Sequence, residues 1–278
     1  MRLFADDSFL YREIKTTKDC EILQQDLDTL QKWENKWKME FHPEKCQVLR
    51  ITNKLKPIKA DYFVHSRKLI ETDHAKYLGV IIDSKLQWKH QIRAVRKKAN
   101  YTLAFLKRNL YSCTQPIKEK CYKTLVKPIL EYGSCVWDPH LKNQINDLEK
   151  VQKNAARFVT GDYTFIKGRT DVNMKQLGWI PLREQRARNK TTTFFKGVNK
   201  SIDIPISQYQ LNTNTRITRQ SGNLKFKIPS SNLDSHLYSF FPSTIRLWNS
   251  VPNSTKGTNT PEAFKSALKQ VTLHKLSK

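Results

Sequence analysis

The spacing of apolar residues changes near Ser84. Before that point they come mainly in short runs bounded by turn residues, which reads as strands. Leu3-Phe4-Ala5 and Phe9-Leu10-Tyr11 predict a tight hairpin. One helix interrupts the pattern. Thr16-Thr17 can cap it, and over 18–39 Ile22, Leu23, Leu27, Leu30, Trp33 and Trp37 share one arc of a 3.6-residue wheel. That face is expected to lie on a sheet, with both tryptophans in the core. Pro43 marks a turn, 46–51 a strand, 54–59 a basic loop, and 62–64 with 67–70 a further hairpin. Tyr77 to Ile82 reads as an apolar strand with Gly79 inside it, where a bulge or a close backbone approach is expected.

Beyond Ser84 the period becomes helical. Over 87–110, Ile92, Val95, Ala99, Leu103, Leu106 and Leu110 share one face, and Lys89, Arg93, Arg96, Lys97, Lys107 and Arg108 share another. No acidic residue occurs between Ser84 and Leu110. A solvated helix face usually mixes signs, because Glu–Lys pairs three or four apart stabilise it. A one-sign face makes sense if phosphates supply the negative charge; a helix lying on a membrane surface is the weaker alternative. A second helix is expected from Pro116, bent or interrupted near Pro128. A third is expected over 143–159, ended by Gly161 in a left-handed cap. Pro181 to Val198 predicts a basic helix carrying Arg183, Arg186, Arg188 and Lys190. Residues 201–235 hold too few large apolar groups to fold compactly alone. Phe240-Phe241-Pro242 to Trp248 is expected to dock back as a short helix. Ser254 to Asn259 reads as a linker, and Thr260-Pro261-Glu262 as the start of a last helix reaching about Leu273.

Charge sharpens this picture. Fifty Lys and Arg against 25 Asp and Glu leave a net charge of +25 over 278 residues. Such an excess implies a polyanionic partner, since nucleic-acid binding is driven largely by neutralising phosphates and releasing counterions. The five cysteines, Cys20, Cys46, Cys113, Cys121 and Cys135, form no Cys-x-x-Cys pair, so neither a zinc knuckle nor a disulfide framework is expected. No apolar signal stretch follows Met1, and no run is long enough to cross a bilayer. The expectation is an intracellular protein, nuclear or cytoplasmic, not secreted and without a membrane partner. Oligomeric state cannot be read.

Candidate chemistry begins at Phe4-Ala5-Asp6-Asp7. A hairpin turn would project Asp6 and Asp7 together, and two adjacent carboxylates stay ionised cheaply only with a cation between them. Mg2+ takes carboxylate oxygens together with substrate phosphates, so metal-assisted phosphoryl chemistry is one reading and an ordinary Asp-Asp turn the other. His90, after Trp88-Lys89, reads more as a packing or phosphate-contacting residue than a catalytic one. No nucleotide-binding Gly-rich loop occurs.

In order along the chain, Phe4-Ala5-Asp6-Asp7, His42-Pro43-Glu44-Lys45-Cys46 and Tyr77-Leu78-Gly79-Val80-Ile81-Ile82-Asp83 resemble successive palm motifs of reverse transcriptases: the Asp-Asp box, a lysine-bearing turn and the primer-grip hairpin. The family they resemble is that of non-LTR retrotransposons of the jockey and CR1 kind. Leu125 to Gly133, Val151 to Phe158 and Ser239 to Asn249 resemble its C-terminal region. The resemblance implies an α+β fold: a truncated polymerase palm remnant of antiparallel hairpins plus a helix over 1–83, a helical thumb over 84–163, and a basic, partly irregular C-terminal region over 164–278. It implies Mg2+ on Asp6 and Asp7, and Lys45 near the leaving pyrophosphate, where a solvated turn lysine is the competing reading. It places primer contacts at Leu78 and Gly79. An RNA template with RNA/DNA or DNA duplex is the implied partner, bound also through Lys89, Arg93, Arg96, Lys97, Lys107 and Arg108. The family's third carboxylate and its fingers lie upstream of the Asp-Asp box, and only three residues precede Phe4. The expectation is a truncated copy or partial gene model, inactive alone as an RNA-directed DNA polymerase. The alternative is a non-catalytic nucleic-acid-binding remnant or coopted module.

Overall fold

The computed structural model describes residues 1–5, 7–39, 41–164, 166–209 and 225–273. It opens with β1 (Arg2–Phe4) and β2 (Asp7–Phe9), antiparallel, with Phe4 opposite Asp7 and Ala5 at φ 50 in the turn. Asp7 is therefore a strand residue rather than the turn residue expected. Helix α1 (Thr17–Trp37) follows. Its start is held by Asp19, whose carboxylate accepts the backbone N–H of Thr16 at 2.8 Å and of Lys15 at 3.0 Å. Those bonds hold the Asp19 carboxyl below its usual range.

Short strands complete this part of the chain: β3 (Gln47–Leu49), β4 (Phe63–Val64), β5 (Arg67–Lys68), β6 (Ile70–Thr72), β7 (His74–Tyr77) and β8 (Val80–Asp83). They pair two by two: β3 with β6 in parallel, β4 with β5 and β7 with β8 antiparallel. The strand expected over 77–82 is thus cut in two. Leu78 and Gly79 sit at φ 45 and φ 80, the two-residue turn whose twist suits a hairpin and which Gly enters without strain. Arg50 forks onto Glu71 at 3.1 and 3.0 Å and donates to the carbonyl of Ile58 at 2.6 Å, tying the basic loop back to β6.

The core beneath these ribbons is small. Cys20, Tyr62, Val64 and Leu69 are buried, with Leu23, Leu27 and Val48 packed against them. Trp33 and Trp37 do not join it; they remain 41% and 59% exposed, contrary to the expected core role. The ribbons cover only the N-terminal half of the helix stripe. At the other end Glu34 is buried, with one oxygen 3.0 Å from His65 Nε2 and the other accepting the N–H of Phe41.

The described chain divides into two compact units, Met1–Gln91 and Ile92–Lys278, the division falling within helix α2 (Lys89–Asn109). The second unit is helical. Helix α3 (Gln115–Cys121) runs through a π-helical turn at Tyr122–Val126 into α4 (Lys127–Glu131). Pro128 has no N–H to give Thr124, and the ladder widens just before it: the N–H of Lys127 reaches five residues back to the carbonyl of Tyr122. After α5 (Ser134–Trp137) comes α6 (Lys142–Thr160), which ends at Gly161 in the left-handed cap expected. Then follow α7 (Arg169–Gln176), α8 (Leu182–Val198), α9 (Asp234–Leu237), α10 (Phe240–Ser250), α11 (Asn253–Lys256) and α12 (Pro261–Leu268).

Helix α8 is central rather than superficial. Its first N–H groups are taken by Glu149 of α6, from Leu182 at 3.1 Å and Arg183 at 2.8 Å. Phe194 and Phe195 pack with Phe226, Ile245, Trp248 and Phe264, all buried. Gly197 lets the chain return against it, since a Cβ there would lie 2.4 Å from the side chain of Ile204. Phe226 exchanges two hydrogen bonds with the Asn249 amide, at 3.0 and 2.8 Å. The stretch expected to be non-compact therefore contributes Ile206 and Phe226 to the core; residues 210–224 within it lie outside the described residues. The expected linker at 254–259 is in part α11, whose buried Lys256 lies over Trp248 at 5.6 Å; burial pushes its amine down to about 8. The docked α10 and the α12 start, with Thr260 accepting the N–H of Ala263 at 3.2 Å, match expectation.

The same helix buries charge. Arg186 meets Asp138 at 2.7 Å, and Lys190 meets it at 2.6 Å and Ser243 at 3.1 Å. Burial alone would push the Asp138 carboxyl up, but Lys190 and Arg186 together hold it below its usual range. Its contribution to stability is then complete above the ordinary carboxylate range near pH ~4 and is lost as pH falls through the lower folded value. Asp138→Ala should leave two buried cations unanswered and destabilise the chain by about 3–5 kcal/mol. Trp33→Ser, at an exposed site, should stay within about 0.5 kcal/mol of the parent. Urea unfolding of both variants checks the contrast; equal midpoints would refute the ionic anchor.

Candidate nucleic-acid interface and polymerase residues

The hairpin β1–β2 carries Asp7 on an exposed strand position, while Asp6 lies outside the described residues. Lys45 is exposed at the end of the short 3-10 turn Pro43–Lys45, and no hydrogen bond or ion pair joins it to Asp7 among the described residues. Asp61, Asp83 and Asp73 of the first unit have partners of their own. Asp61 pairs with Lys68 at 2.6 Å. Asp83 is buried, and its two oxygens accept the N–H groups of Lys85, Gln87 and Trp88 at 3.1, 3.0 and 2.7 Å. It shapes the entry to α2. Gln91, one turn into α2, is buried as well and accepts the N–H of Ile81 at 2.9 Å.

Asp73 bonds His74 Nδ1 at 2.5 Å, which holds its carboxyl below the usual range. Asp73, His74 and His90 form a group whose ligand atoms lie within 4.8 Å of one another, the one such group of three among the described residues. The imidazoles of His74 and His90 are stacked, with centroids 4.5 Å apart and planes 8° apart. Nitrogen lone pairs lie in the ring plane, so a single ion cannot meet both rings in this arrangement. A set of two imidazoles and one carboxylate also suits a transition metal better than Mg2+. His90 is here a packing residue, one of the readings its sequence context allowed.

An Mg2+ ion at the hairpin fits these residues only in part. Asp7 offers the hard oxygen donor that Mg2+ takes, and Mg2+ sites commonly use one or two carboxylates with substrate phosphates filling the rest. Among the described residues, Asp7 belongs to no group of three His, Cys, Asp or Glu side chains able to share an ion.

The basic helix divides its cations into two kinds. Arg93, Lys97 and Arg108 are exposed, as is Lys89 at its start. Arg96 instead pairs with Asp147 at 2.9 Å. Lys107 is half-buried, and burial, then the Arg157 guanidinium, lowers the affinity of its amine for a proton. Both flank the apolar arc of Ile92, Val95, Ala99, Leu103 and Leu106, all of them buried. The single basic face read from the sequence thus narrows to a stripe through Arg93, Lys97 and Arg108. Between these cations stand Tyr101 and Phe105, 74% and 51% exposed. The sequence reading passed over both, although their four-residue steps from Lys97 put them on the same face. Aromatic rings between cations supply stacking surface beside phosphate contacts. At the β7–β8 turn Gly79 is exposed and Leu78 half-buried.

No family model and no solved structure matches the chain. Its relatives are polymerases of Drosophila mobile elements. A probable RNA-directed DNA polymerase from transposon BS of Drosophila melanogaster is 27% identical over 182 residues, 62% of this chain and 20% of that protein. The RNA-directed DNA polymerase from mobile element jockey of Drosophila funebris is 27% identical over 186 residues, 63% of this chain and 20% of that protein. A probable RNA-directed DNA polymerase from transposon X-element is 23% identical over 171 residues, 60% of this chain and 19% of that protein. The chain spans about a fifth of the length of these relatives. It is a distant relative of the RNA-directed DNA polymerases of mobile elements.

Proposed function

We propose that this chain is a nucleic-acid-binding segment of a non-LTR retrotransposon reverse transcriptase, with a palm-like first unit and a thumb-like helical bundle in the second. The observation that carries the reading is the α2 stripe: exposed Arg93, Lys97 and Arg108 interleaved with exposed Tyr101 and Phe105, on a helix without a carboxylate, in a chain of net charge +25. The relatives' printed activity and the order of the three palm-like motifs supply the polymerase context. Structured RNA and hybrid or DNA duplex are the proposed partners, bound through the backbone and therefore with little sequence preference.

Each neutralised phosphate contributes close to one unit to the slope of log K against log salt. Replacing Arg93, Lys97 and Arg108 with Gln should flatten that slope by about two to three units for duplex. Arg96→Gln and Lys107→Gln together should change it by less than about one, since those cations already face Asp147 or protein. Filter binding at several salt concentrations, with circular dichroism as the folding control, decides between the two sets. An unchanged slope in the triple variant would sink the interface.

Chemistry is the finer part of the reading. Polymerisation by two metal ions needs carboxylates that bridge both ions, and Asp61, Asp73 and Asp83 are engaged as ion-pair, imidazole-bonded and helix-entry groups. The 278-residue polypeptide should therefore show no template-directed primer extension with Mg2+ or Mn2+. Incorporation that Asp7→Ala abolishes would overturn this, and would mean that the chain supplies the bridging carboxylate itself.

A further inference from the structure

Tyr101 and Phe105 stand 74% and 51% exposed on α2. A single exposed ring is ordinary on a protein surface. These two share a row with cations. Arg93, Lys97, Tyr101 and Phe105 follow one another in steps of four residues, and Arg108 comes three residues later. At about 100° and ~1.5 Å per residue, the five side chains leave the helix within an arc of about 120° and cover about 22 Å of its length. The opposite arc holds Ile92, Val95, Ala99, Leu103 and Leu106, all buried, so the row stands on a packed helix. Phe and Tyr rings also lose little freedom when a partner orders them, since each turns about only two side-chain bonds.

A double helix answers the cations but not the rings. Its base faces are stacked on one another, and what it turns outward is phosphate, sugar and base edges. A carboxylate-rich peptide likewise meets the cations and leaves the rings to solvent. A membrane-surface helix lays its apolar face into lipid, whereas that face of α2 is already buried in the protein. Unpaired bases expose both π-faces, and proteins take them by stacking on aromatic side chains set among cations. We propose that the α2 row binds an unpaired stretch of nucleic acid. Tyr101 and Phe105 each stack on one base, Arg93 and Lys97 hold the backbone on one side of them, and Arg108 holds it on the other. The choice of partner rests on the nucleic-acid reading and narrows it to the places where pairing ends.

The probes are DNA duplexes of one sequence: blunt, with a short single-stranded overhang, and with the same overhang built from abasic residues, which keep the phosphates and lack the bases. The full chain should bind the ordinary overhang at least about tenfold more tightly than the abasic one, since each base stacked on a ring adds a factor of about five or more. Tyr101→Leu with Phe105→Leu keeps apolar bulk and helix propensity but removes both π-faces. That double variant should bring the ordinary overhang down to the abasic level, leave the blunt duplex unchanged, and keep the parent's salt slope, because no charge is altered. Replacing Arg93, Lys97 and Arg108 with Gln should instead flatten the slope for all three probes. Equal affinity of the parent chain for ordinary and abasic overhangs would reduce the row to a polyanion face and overturn the proposal. The nucleic-acid reading would survive that result if the triple Gln variant still flattened the slope. A double Leu variant, folded by circular dichroism, that binds the ordinary overhang like the parent would also overturn the proposal. A triple Gln variant with an unchanged slope would sink both.

Discussion

Asp138 answers two cations at once, and the second unit is built around that arrangement. Arg186 and Lys190 lie one helical turn apart on α8, and both are almost fully buried. Neither could be buried unpaired without a cost of several kcal/mol. With Asp138 between them, α8 can pass through the middle of the bundle and present Phe194 and Phe195 to the aromatic core. Lys190 reaches Ser243 of α10 from the same position, so one ionic cluster fixes α8 against both the segment after α5 and the docked C-terminal helix. The π-turn before Pro128 and the Glu149 cap on α8 are further cases of one rule: where the bundle interrupts a backbone ladder, another group takes up the orphaned donor or carbonyl.

The first unit follows a different economy. Its strands are two to four residues long and pair only in twos, so each ribbon leaves edges unpaired. A two-stranded ribbon is marginal without packing on one face, and a small cluster of Cys20, Tyr62, Val64 and Leu69, flanked by Leu23, Leu27 and Val48, supplies it. Leu3, Phe4, Trp33 and Trp37 stay exposed as a consequence. What order these residues have comes from local polar clasps: Asp19 at the start of α1, Asp83 at the entry to α2, and Arg50 on Glu71.

Helices α2 and α6 were legible in the sequence because their apolar residues recur over several turns and fix both length and face. The α6 end at Gly161 was legible for the same local reason. Helix α8 was legible as a helix but not as a buried one. Its basic composition resembles that of α2, and what separates them is Asp138, 48 residues before Arg186 and invisible to any periodicity. Leu78-Gly79 was read inside a strand because both neighbours are apolar; the turn is set by two positive φ angles that apolar pattern does not encode. Trp33 and Trp37 kept the period of a core face, but nothing in the sequence said how far the short ribbons would reach along it. The Asp-Asp pair resembles a motif in the sequence, but Asp6 lies outside the described residues, and Asp61, Asp73 and Asp83 are engaged by Lys68, by His74 and by the entry to α2.

The division of the cations follows from the same logic and decides how much of the net charge can meet a polyanion. A cation already facing a carboxylate gives little counterion release on binding phosphate, because its charge is largely neutralised beforehand. Arg96 with Asp147, Arg186 and Lys190 with Asp138, and Arg188 with Glu184 belong to that group. Arg93, Lys97 and Arg108 lie on the side of α2 opposite its buried residues, where the helix supplies no carboxylate of its own. Their exposure lets a phosphate meet them directly and so displace the counterions condensed on it. Net charge alone therefore overstates the interface. In the interface we propose, the stripe on α2 carries the affinity because its neighbours at the edge of the apolar arc are paired off or half-buried, leaving a narrow row of exposed cations with aromatic rings between them.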